Sequence, residues 1–407
     1  RCEPSPQSRD VAAILDHNAF AMTTPVRAIR RARRAYNPRM ERGLLGGLTP
    51  AAFLRRHWQK RPLLVRGALS RVPRVDLPAL SRLATRDDVE SRMVRRRGGR
   101  WLLDHGPFAQ RTFSRLPARD WTLLVQGLNH HVPEAEALMR RFAFIPQARF
   151  DDVMASYAVA GGGVGPHWDA YDVFLVQALG RRVWRLCRPA PFAELPDSAL
   201  RIIDGFVAED EYLLEPGDML YLPPGWGHDG VALGPCVTLS VGFRTPDRSE
   251  LASAFLEHLA EREHAPLRYR DPALRPTRRP ARIDPSMQRK IGAMLRAARW
   301  TRRDEETFLG TWLTMPKGHV VFSPPHRPLD PAAFRARLAR ARLVLDAKTQ
   351  LLYDSRALYL NGEPVPEAPP ALRQLADARE LAGAALRGAR ARDLAYDWYR
   401  CGFVHLA

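Results

Sequence analysis

The spacing of hydrophobic positions changes along the chain, and the N-terminal part shows helical spacing. The segment TPAAFLRRHWQKRPLLVRGAL at residues 49–69 predicts an amphipathic helix followed by a short strand. Thr49 and Pro50 suit the N-cap and the first turn of that helix. Residues 114–141 predict a further helix. Its apolar face would hold Trp121, Leu124, Val125 and Leu128.

From about residue 150 to residue 244 the pattern becomes that of short β-strands. Runs rich in β-branched and aromatic residues alternate there with turn signals. Several short strands at this spacing predict a β-sandwich or barrel rather than a parallel sheet covered by helices. The predicted strands are 156–160, 172–178, 182–187, 219–222 and 237–243.

The C-terminal part of the chain predicts helices again and then a mixed module. Helices are predicted at 249–263, 287–301 and 305–313, with a Pro/Arg-rich linker after the first of them. Beyond residue 319 the predicted elements are helices 331–341 and 370–382 and strands 341–346, 350–353, 358–360 and 398–406. The first two of these strands predict a hairpin, and Asn361-Gly362 predicts a turn after the third. Helices combined with a short β wing indicate a winged-helix module.

These changes of pattern divide the chain into four predicted segments. Residues 40–247 would form a mainly β catalytic core with flanking helices, 248–318 an α-helical region, and 319–407 a small winged-helix α+β domain. Residues 1–39, with the basic stretch Arg27–Arg34, are predicted to be an extension outside the folded domains. The helical region would form either a dimer surface or an ordinary intrachain bundle.

The charge balance identifies a class of partner but not a function. Sixty-three Lys and Arg residues against 44 Asp and Glu residues give a formal net charge of +19. Such a charge attracts polyanions such as nucleic acid or an anionic membrane surface. Almost all of the basic residues are arginines, which a GC-rich genome also favours. Charge alone therefore leaves affinity for nucleic acid open.

Cysteine usage and hydropathy predict a cytoplasmic protein. The four cysteines form no CxxC pair, which argues against a zinc ribbon and against a disulfide-stapled secreted module. The chain contains no apolar run of about 18 residues, and its N-terminal residues lack the apolar core of a secretory signal. We therefore expect neither membrane insertion nor export.

The candidate chemistry is concentrated in the β-rich region. His167 and Asp169 are two residues apart, so on a strand their side chains would share one face. His228 follows within EPGDMLYLPPGWGHDG, where a turn, a strand and a rigid proline loop would deliver it to the same ion. Two imidazoles and one carboxylate form the facial triad of Fe(II) oxygenases, which leaves metal positions open for a bidentate co-substrate and O₂. A structural zinc site would instead be expected to include cysteines.

Three neighbouring features fit a bound 2-oxoglutarate. Gly161–Gly163 would let the backbone pass close to a ligand. The Arg181-Arg182 pair precedes an alternating strand, and an arginine binds a carboxylate at two points. A hairpin centred near Gly234 would bring hydroxyl groups opposite His228 and beside the co-substrate. These hydroxyls belong to Ser240 and Thr238.

Several of these residues also fit a purely structural role. An HxD triplet occurs by chance in many chains and is a weak signal by itself. Asp172 would face away from the metal on a regular strand, so it would act behind the ligands or on the substrate. His130 and His131 fit a solvated helix face better than metal binding.

At these residues the chain resembles the bacterial ribosomal oxygenases, JmjC-type cupins that hydroxylate ribosomal proteins. The resemblance rests on YAVAGGGVGPHWDAYDVFLVQALGRRVWRL, EPGDMLYLPPGWGHDG and LSVGFR, with FLRRHWQKRPLLVRGAL upstream. It implies a double-stranded β-helix, a helical dimerisation region and a C-terminal winged helix, and it covers about residues 40–407. The GGGVGPH form favours the bacterial branch, which hydroxylates the β-carbon of an arginine in a large-subunit ribosomal protein.

The resemblance also implies roles for individual residues. It makes His167, Asp169 and His228 the iron ligands and Arg182 the partner of the 2-oxoglutarate carboxylate. Tyr157, Thr238 and Ser240 would complete the co-substrate site. An acidic group must also grip the substrate guanidinium. The candidates for substrate contact are Asp151, Asp152, Asp172 and Tyr171.

The implied reaction couples the decarboxylation of 2-oxoglutarate to succinate and CO₂ with hydroxylation of an unactivated C–H bond. The expected partners are a large-subunit ribosomal protein, the ribosome or its RNA, and a second copy of the chain in a homodimer. Three alternatives stay open at this point: a JmjC demethylase acting on N-methyl groups, a non-catalytic ribosome- or nucleic-acid-binding cupin, and a small-molecule cupin hydroxylase. The two appended domains argue against the last of these.

Overall fold

The computed structural model describes residues 43–261, 268–297 and 299–407. The predicted extension at residues 1–39, with its basic stretch, lies outside the described residues. The described part of the chain divides into two compact units. The first contains residues up to 245 together with 317–349 and 369–407, and the second contains 246–316 and 350–368.

The N-terminal part of the first unit is built from twelve strands in two sheets. The strands are β1 Leu63–Val65, β2 Ser91–Arg97, β3 Arg100–His105, β4 Trp121–Val125, β5 Phe150–Ala158, β6 His167–Trp168, β7 Val173–Leu179, β8 Arg182–Cys187, β9 Asp210–Leu214, β10 Met219–Leu222, β11 Gly227–Ala232 and β12 Cys236–Phe243. The larger sheet has the order β1-β10-β7-β12-β5-β4-β2-β3, and the smaller one has the order β6-β11-β8-β9. All pairings in both sheets are antiparallel. This is the mainly β core that the alternating pattern predicted.

Residue alternation separates the two faces of the larger sheet. Val153, Ala155 and Tyr157 of β5 belong to the main apolar core, so the intervening residues face the other way, into the barrel. The barrel interior has its own smaller apolar cluster, to which both sheets contribute. The faces therefore have different tasks, one for packing and one for lining the interior.

Short helices accompany the barrel strands. They are α1 Pro50–Arg56, α2 Leu77–Leu83, α3 Gln110–Phe113 and α4 Pro133–Arg140. The Thr49 hydroxyl accepts a hydrogen bond from the Ala52 N–H at the start of α1, which confirms the predicted helix and its cap. The predicted helix 114–141 is wrong in its first half, because residues 121–125 form the fully buried strand β4. A short apolar run has no periodicity that separates a buried strand from a helix.

The predicted hairpin centred near Gly234 is also wrong. Strand β11 pairs with β6 and β8 in the smaller sheet, whereas β12 pairs with β5 and β7 in the larger sheet. The chain thus crosses from one sheet to the other around Gly234. Ser240 is opposite Met154 and Leu175 in the strand register, not opposite His228.

The remaining elements follow in chain order. The helices are α5 Arg248–Glu261, α6 Pro285–Ala297, α7 Arg302–Thr314, α8 Pro331–Leu338, α9 Ala371–Ala378 and α10 Ala389–Arg400. The strands are β13 Arg342–Leu345, β14 Leu351–Tyr353, β15 Leu358–Leu360, β16 Glu363–Val365, β17 Glu380–Ala382 and β18 Val404–Leu406. Strands β13, β17 and β18 form a sheet in the first unit, and β14, β15 and β16 form a sheet in the second.

Two details of the C-terminal prediction need correction. Strand β13 pairs with β17 and β18, not with β14, so the predicted hairpin between them does not form. Trp398 lies on α10 rather than on the terminal strand, because its helix buries one face of a 12-residue segment. The Asn361-Gly362 turn is confirmed and joins β15 to β16, with positive φ at both residues. No helix among the described residues is both long and apolar enough to cross a membrane.

Candidate active site

The two histidines of the predicted triad face each other on neighbouring strands. His167 on β6 pairs directly with His228 on β11, and Asp169 follows one residue after β6. The metal-binding atoms of the three side chains all lie within 4.8 Å of one another. The His228 Nε2 atom is 3.7 Å from an Asp169 carboxylate oxygen. The sequence spacing and the sheet register thus bring all three predicted ligands together.

Backbone carbonyl groups fix the orientation of both imidazole rings. The Nδ1 atom of His167 is 2.9 Å from the Gly165 carbonyl oxygen, and that of His228 is 2.9 Å from the Trp226 carbonyl oxygen. A carbonyl oxygen only accepts, so each Nδ1 must carry the proton and donate it. In the neutral form of each ring, Nε2 then keeps a lone pair and is the nitrogen that is available to a metal.

The electrostatic surroundings also favour metal binding. Burial and the neighbouring His167 lower the pKa of His228 to about 4, whereas Asp169 opposes the shift. The His228 ring is therefore neutral at pH 7. Two imidazoles and a carboxylate are a donor set that suits a divalent iron and leaves other coordination positions open.

A buried arginine without a carboxylate partner lies on the same small sheet. Arg182 is only 3% exposed. Its guanidinium crosses the barrel to donate to Ser156 Oγ at 3.1 Å on the larger sheet, and it lies 3.6 Å from the Cys236 sulfur. Its Nε has no hydrogen-bond partner, and no acidic side chain among residues 43–261, 268–297 and 299–407 pairs with it. An isolated buried cation is costly, so this pocket is suited to an anionic ligand.

Trp184 lies between the arginine and the metal ligands, and sequence analysis missed it. Arg182, Trp184 and Leu186 share one face of β8, and Leu186 is paired with His228. The ring of Trp184 is 5.9 Å from that of His228, and the Arg182 guanidinium is 5.7 Å from the Trp184 ring centre. The indole Nε1 is buried and has no partner. The alternation of β8 was a usable signal, since it already placed Arg182 and Trp184 on one face.

A glycine provides the space that Trp184 occupies. A Cβ atom on Gly230 would lie 2.7 Å from two ring carbons of Trp184, so no larger residue fits there without displacing the indole. The six-membered ring contacts Gly230, and the N–H edge is therefore turned away from β11. The two unpaired N–H groups, on Trp184 and Arg182, belong to the same stretch of the barrel interior.

The predicted hydroxyl residues line this interior, although not for the predicted reason. Thr238 and Ser240 lie on the inner face of β12, because the residues between them belong to the outer core. The Thr238 hydroxyl donates to Gln177 Oε1 at 2.9 Å. The Ser240 hydroxyl has no protein partner among the described residues. The predicted place of Tyr157 in the co-substrate site does not fit the structure. Tyr157 pairs with Val237, and its side chain lies on the opposite face of the sheet, where it packs against Trp121 and away from Arg182.

The predicted role of Asp172 as a substrate contact is also wrong. Asp172 is fully buried and accepts hydrogen bonds from the Tyr221 hydroxyl at 2.6 Å and from Gln59 Nε2 at 3.0 Å. Arg149 lies 3.4 Å from the same carboxylate. Burial raises the pKa of Asp172, and these donors oppose the rise. The carboxylate therefore ties the segment after α1 to the outer core and cannot be reached by a substrate.

The other acidic candidates divide between a surface pair and a buried group. Asp151 forms an ion pair with Lys317 at 2.8 Å. Asp152 is 7% exposed and accepts a hydrogen bond from the Gly127 N–H at 2.7 Å. Burial and the neighbouring Asp151 together raise the pKa of Asp152 to about 6. Asp152 lies on the inner face of β5, on the same side as Ser156.

Tyr171 is the partly exposed member of the predicted substrate group. Its side chain is 41% exposed, and its hydroxyl lies close enough to the Asp169 carboxylate for that charge to affect its pKa. Burial of the hydroxyl end and the Asp169 carboxylate raise the pKa of Tyr171. The phenol is thus neutral and lies at the edge of the metal-binding residues.

Two further predictions change in the structure. The glycines at 161–163 allow close contact between backbone segments rather than with a ligand, since a Cβ on Gly162 would meet the Trp121 carbonyl and one on Gly163 the Gly230 carbonyl. His130 and His131 lie at a short 3₁₀ turn and are partly buried, not on a solvated helix face. Burial lowers the pKa of each to about 4.

Comparison with known proteins agrees with this geometry. A family model for the JmjC domain matches residues 137–251, and a model for the ROXA-like winged helix matches residues 297–405. The ribosomal protein uL16 3-hydroxylase of Escherichia coli is 38% identical over 330 residues, which cover 80% of this chain and 87% of that protein. The chain belongs to the ribosomal oxygenase family. The predicted JmjC barrel and winged helix are thereby confirmed.

Solved structures of the same family support the assignment. The Escherichia coli protein YcfD has a TM-score of 0.77 at 33% identity, covering 88% of this chain and 98% of that chain. Another structure shows YcfD, a ribosomal oxygenase, in complex with cobalt and 2-oxoglutarate, and it matches with a TM-score of 0.75. Human ribosomal oxygenase 1 is a more distant relative, 28% identical over 208 residues, or 46% of this chain and 31% of that protein.

Proposed function

We propose that this ribosomal oxygenase hydroxylates an arginine side chain, at its β-carbon, in a protein of the large ribosomal subunit. Fe(II) would serve as the cofactor. O₂ and 2-oxoglutarate would be consumed, with one oxygen atom entering the product hydroxyl group and the other entering succinate as CO₂ is released. The observation that carries the proposal is the pairing on one small sheet of a histidine–carboxylate triad with a buried, unpaired arginine. The relative that acts on uL16 supports the choice of a large-subunit protein.

The metal ligands would be His167, Asp169 and His228. Iron bound with 2-oxoglutarate and O₂ supplies an oxidant strong enough for an unactivated C–H bond. The protein contributes the fixed orientation of both rings, because their Nδ1 protons are already donated to backbone carbonyls. It also contributes a neutral, buried His228 that needs no deprotonation before it binds the ion.

The co-substrate would lie between the triad and Arg182. The two sites are four residues apart on neighbouring strands, which corresponds to about 13 Å along the sheet and leaves room for a five-carbon dicarboxylate and the arginine side chain. Arg182 would bind the distal carboxylate with its free N–H groups, and Trp184 would donate its indole N–H. Ser240 offers a hydroxyl without a protein partner among the described residues, on the facing sheet.

The substrate guanidinium would be held by Asp152 and Tyr171. A carboxylate within hydrogen-bonding reach of the barrel interior suits a planar cation, and the phenol oxygen of Tyr171 can accept from the same group. Asp152 is the better candidate than Asp172, because only Asp152 faces the barrel interior. A neutral Tyr171 beside Asp169 would place the target carbon against the metal-binding residues.

The test is mass spectrometry of ribosomal proteins incubated with the purified enzyme, Fe(II), ascorbate and 2-oxoglutarate. We expect a gain of one oxygen on an arginine of a large-subunit protein, and no gain with the His167→Ala variant. If 2-oxoglutarate is consumed but no ribosomal protein is modified, the proposed substrate is wrong. A requirement for methylated peptides would instead identify a demethylase, and a lack of all turnover would leave a binding protein. The predicted homodimer and domain boundaries stay predictions, and light scattering of the purified protein tests the first.

A further inference from the structure

A strongly basic hairpin forms the free edge of the larger sheet. Strands β2 and β3 are joined by Gly98 and Gly99, both in the left-handed region with φ of 54° and 78°. Arg97 and Arg100 face each other in the register, and Arg96 faces Trp101. All three arginines are exposed. The tip therefore presents three guanidinium groups within a few residues of chain.

None of these three arginines forms an ion pair within the described parts of the chain. Arg95, one residue earlier, donates to Asp104 at 2.6 Å. Arg96 forms no ion pair with Asp229, and its charge has only the weakest of the effects that lower the pKa of that carboxyl. Like charges directly opposite each other on two strands are destabilising. The repulsion between Arg97 and Arg100 is therefore not compensated within the hairpin, and an anionic partner would reduce it.

The hairpin lies beside the metal-binding loop. A Cβ atom on Gly165 would lie 2.8 Å from the Trp101 ring, so the two residues are in close contact. The carbonyl group of the same Gly165 orients the His167 ring. A macromolecule that brings its target residue to His167 would therefore meet the hairpin arginines.

The charge of this surface excludes the substrate segment itself as the natural partner. If the proposed function holds, the segment that enters the site carries an arginine and belongs to a protein that binds RNA, so it is itself cationic. Two cationic surfaces repel each other, whereas a phosphate backbone is attracted and releases counterions on binding. The Arg96 guanidinium lies 5.4 Å from the Trp101 ring centre. An arginine stacked on an aromatic ring is a surface on which an unpaired base can stack.

We propose that the tip of the β2–β3 hairpin binds single-stranded RNA next to the active site, so that the substrate protein is met together with its RNA. This inference rests on the proposed function for the identity of the partner. The phosphates would contact Arg96, Arg97 and Arg100, and the binding would depend strongly on salt. Sequence preference is not required, because phosphate contacts carry none.

The test is fluorescence anisotropy of a labelled single-stranded RNA at increasing salt concentrations. The triple variant Arg96→Gln, Arg97→Gln, Arg100→Gln should bind at least about 10-fold more weakly at low salt, and its log–log salt slope should fall by about 2, since each lost phosphate contact on a single strand removes roughly 0.7. The matched control replaces Arg55, Arg56 and Arg61 with Gln. These three arginines are also exposed and lie next to β1, at the other edge of the same sheet.

The controls separate a defined RNA site from nonspecific attraction and from other anionic partners. Equal losses in the two triple variants would mean that the net charge of +19 binds RNA without a defined site, which overturns the proposal. Equal affinity of the wild type for polyglutamate, lost in the hairpin variant, would mean that the surface serves an acidic protein rather than RNA. Hydroxylation of an isolated peptide should be unchanged in the hairpin variant. If the enzyme hydroxylates the peptide but does not bind RNA, this inference is wrong and the proposed function stands. If it binds RNA but does not hydroxylate the peptide, the proposed function is wrong and RNA binding stands.

Discussion

The two sheets of the barrel differ in what their outer faces meet. The larger sheet packs its outer face against a continuous apolar core that includes Phe53, Phe142 and Phe174, all fully buried. The smaller sheet has an outer face open to solvent, where Arg185 and Glu211 form an exposed ion pair. Yet the smaller sheet carries His167, His228, Arg182 and Trp184 on its inner face. Stability is thus concentrated in one sheet and the proposed chemistry in the other.

This division predicts that substitutions in the two sheets fail in different ways. Changes on the inner face of the smaller sheet should reduce activity in a protein that still folds. Changes on the outer face of the larger sheet should reduce the free energy of unfolding before they affect the site. Substitutions on both sheets, ordered from the largest expected effect to the smallest, test that separation.

Replacing a metal ligand should abolish activity without unfolding the protein. Loss of groups that merely support a metal ligand costs about 10–100-fold, so His228→Ala should lower 2-oxoglutarate turnover by more than that. Turnover and Co²⁺ binding are measured together with the thermal midpoint. The control is His405→Ala, a partly exposed histidine paired with Asp346. Retained turnover in His228→Ala would remove this residue from the metal site.

Truncating the outer core should have the opposite effect. Phe174 is fully buried and its ring lies 4.4 Å from that of Phe142. Phe174→Ala should lower the free energy of unfolding by about 3–5 kcal/mol, as measured by urea denaturation. Val183 lies on the outer face of the smaller sheet, and Val183→Ala should cost under about 1 kcal/mol. Similar losses in both variants would contradict the division between the sheets.

Removing the buried cation should weaken co-substrate binding selectively. A hydrogen bond to a charged group contributes about 1.5–3 kcal/mol, so Arg182→Gln should raise the KM for 2-oxoglutarate by about 10–150-fold. The exposed neighbour supplies the control, because Arg181→Gln should leave this KM unchanged. If Arg181→Gln has the larger effect, the assignment of the carboxylate partner is wrong.

The pH dependence tests whether the larger sheet also contributes to substrate binding. Asp152 has a pKa raised to about 6 by burial, so it is protonated below that pH and ionised above it. kcat/KM for an arginine peptide should therefore rise about 10-fold from pH 5 to pH 7, as the ionised fraction of such a group does. The rise should be absent in Asp152→Asn. Because the folded pKa lies above the unfolded value, Asp152 should also lower stability as the pH rises from about 3.8 to about 6, with no further loss above that pH.

The smallest expected effect concerns the indole N–H. Trp184→Phe retains a ring in the space beside Gly230 but removes a neutral donor contributing about 0.5–1.5 kcal/mol. The KM for 2-oxoglutarate should rise about 2–10-fold with kcat unchanged. Trp398→Phe, at a buried position on α10, provides the matched control. A fall in kcat at constant KM would show that Trp184 acts on the metal ligands instead.

The sequence contained the metal ligands but not the arrangement of the sheets. The spacing of His167 and Asp169 and the turn before His228 were sufficient, because a strand and a tight turn are local structures. The pairing of β12 was not predictable in this way. A run after Gly234 has the same pattern whether it folds back on β11 or crosses to another sheet. Ser240 was therefore placed inside the barrel by an incorrect pairing.

The errors at Tyr157 and Asp172 have different causes. Tyr157 was assigned through the family resemblance, whereas its side chain belongs to the outer core. Asp172 was expected to face away from the metal, but the sequence does not reveal that it is fully buried. The buried strand β4 was mistaken for part of a helix because a fully buried strand shows no polar alternation. Tertiary contacts supplied what the pattern lacked, such as the hydrogen bonds from Tyr221 and Gln59 to Asp172.

The carbonyl groups that orient His167 and His228 also bear on how such a protein tolerates evolutionary drift. Both carbonyls belong to the main chain, two residues before the histidine, and every amino acid provides one. No mutation of a side chain can delete them. The side chains of residues next to the ligands, such as Trp168 and Trp226, are therefore not needed to orient the imidazole rings. Descendants of this sequence can alter the rim of the pocket, and with it the molecules admitted, while inheriting the same metal geometry.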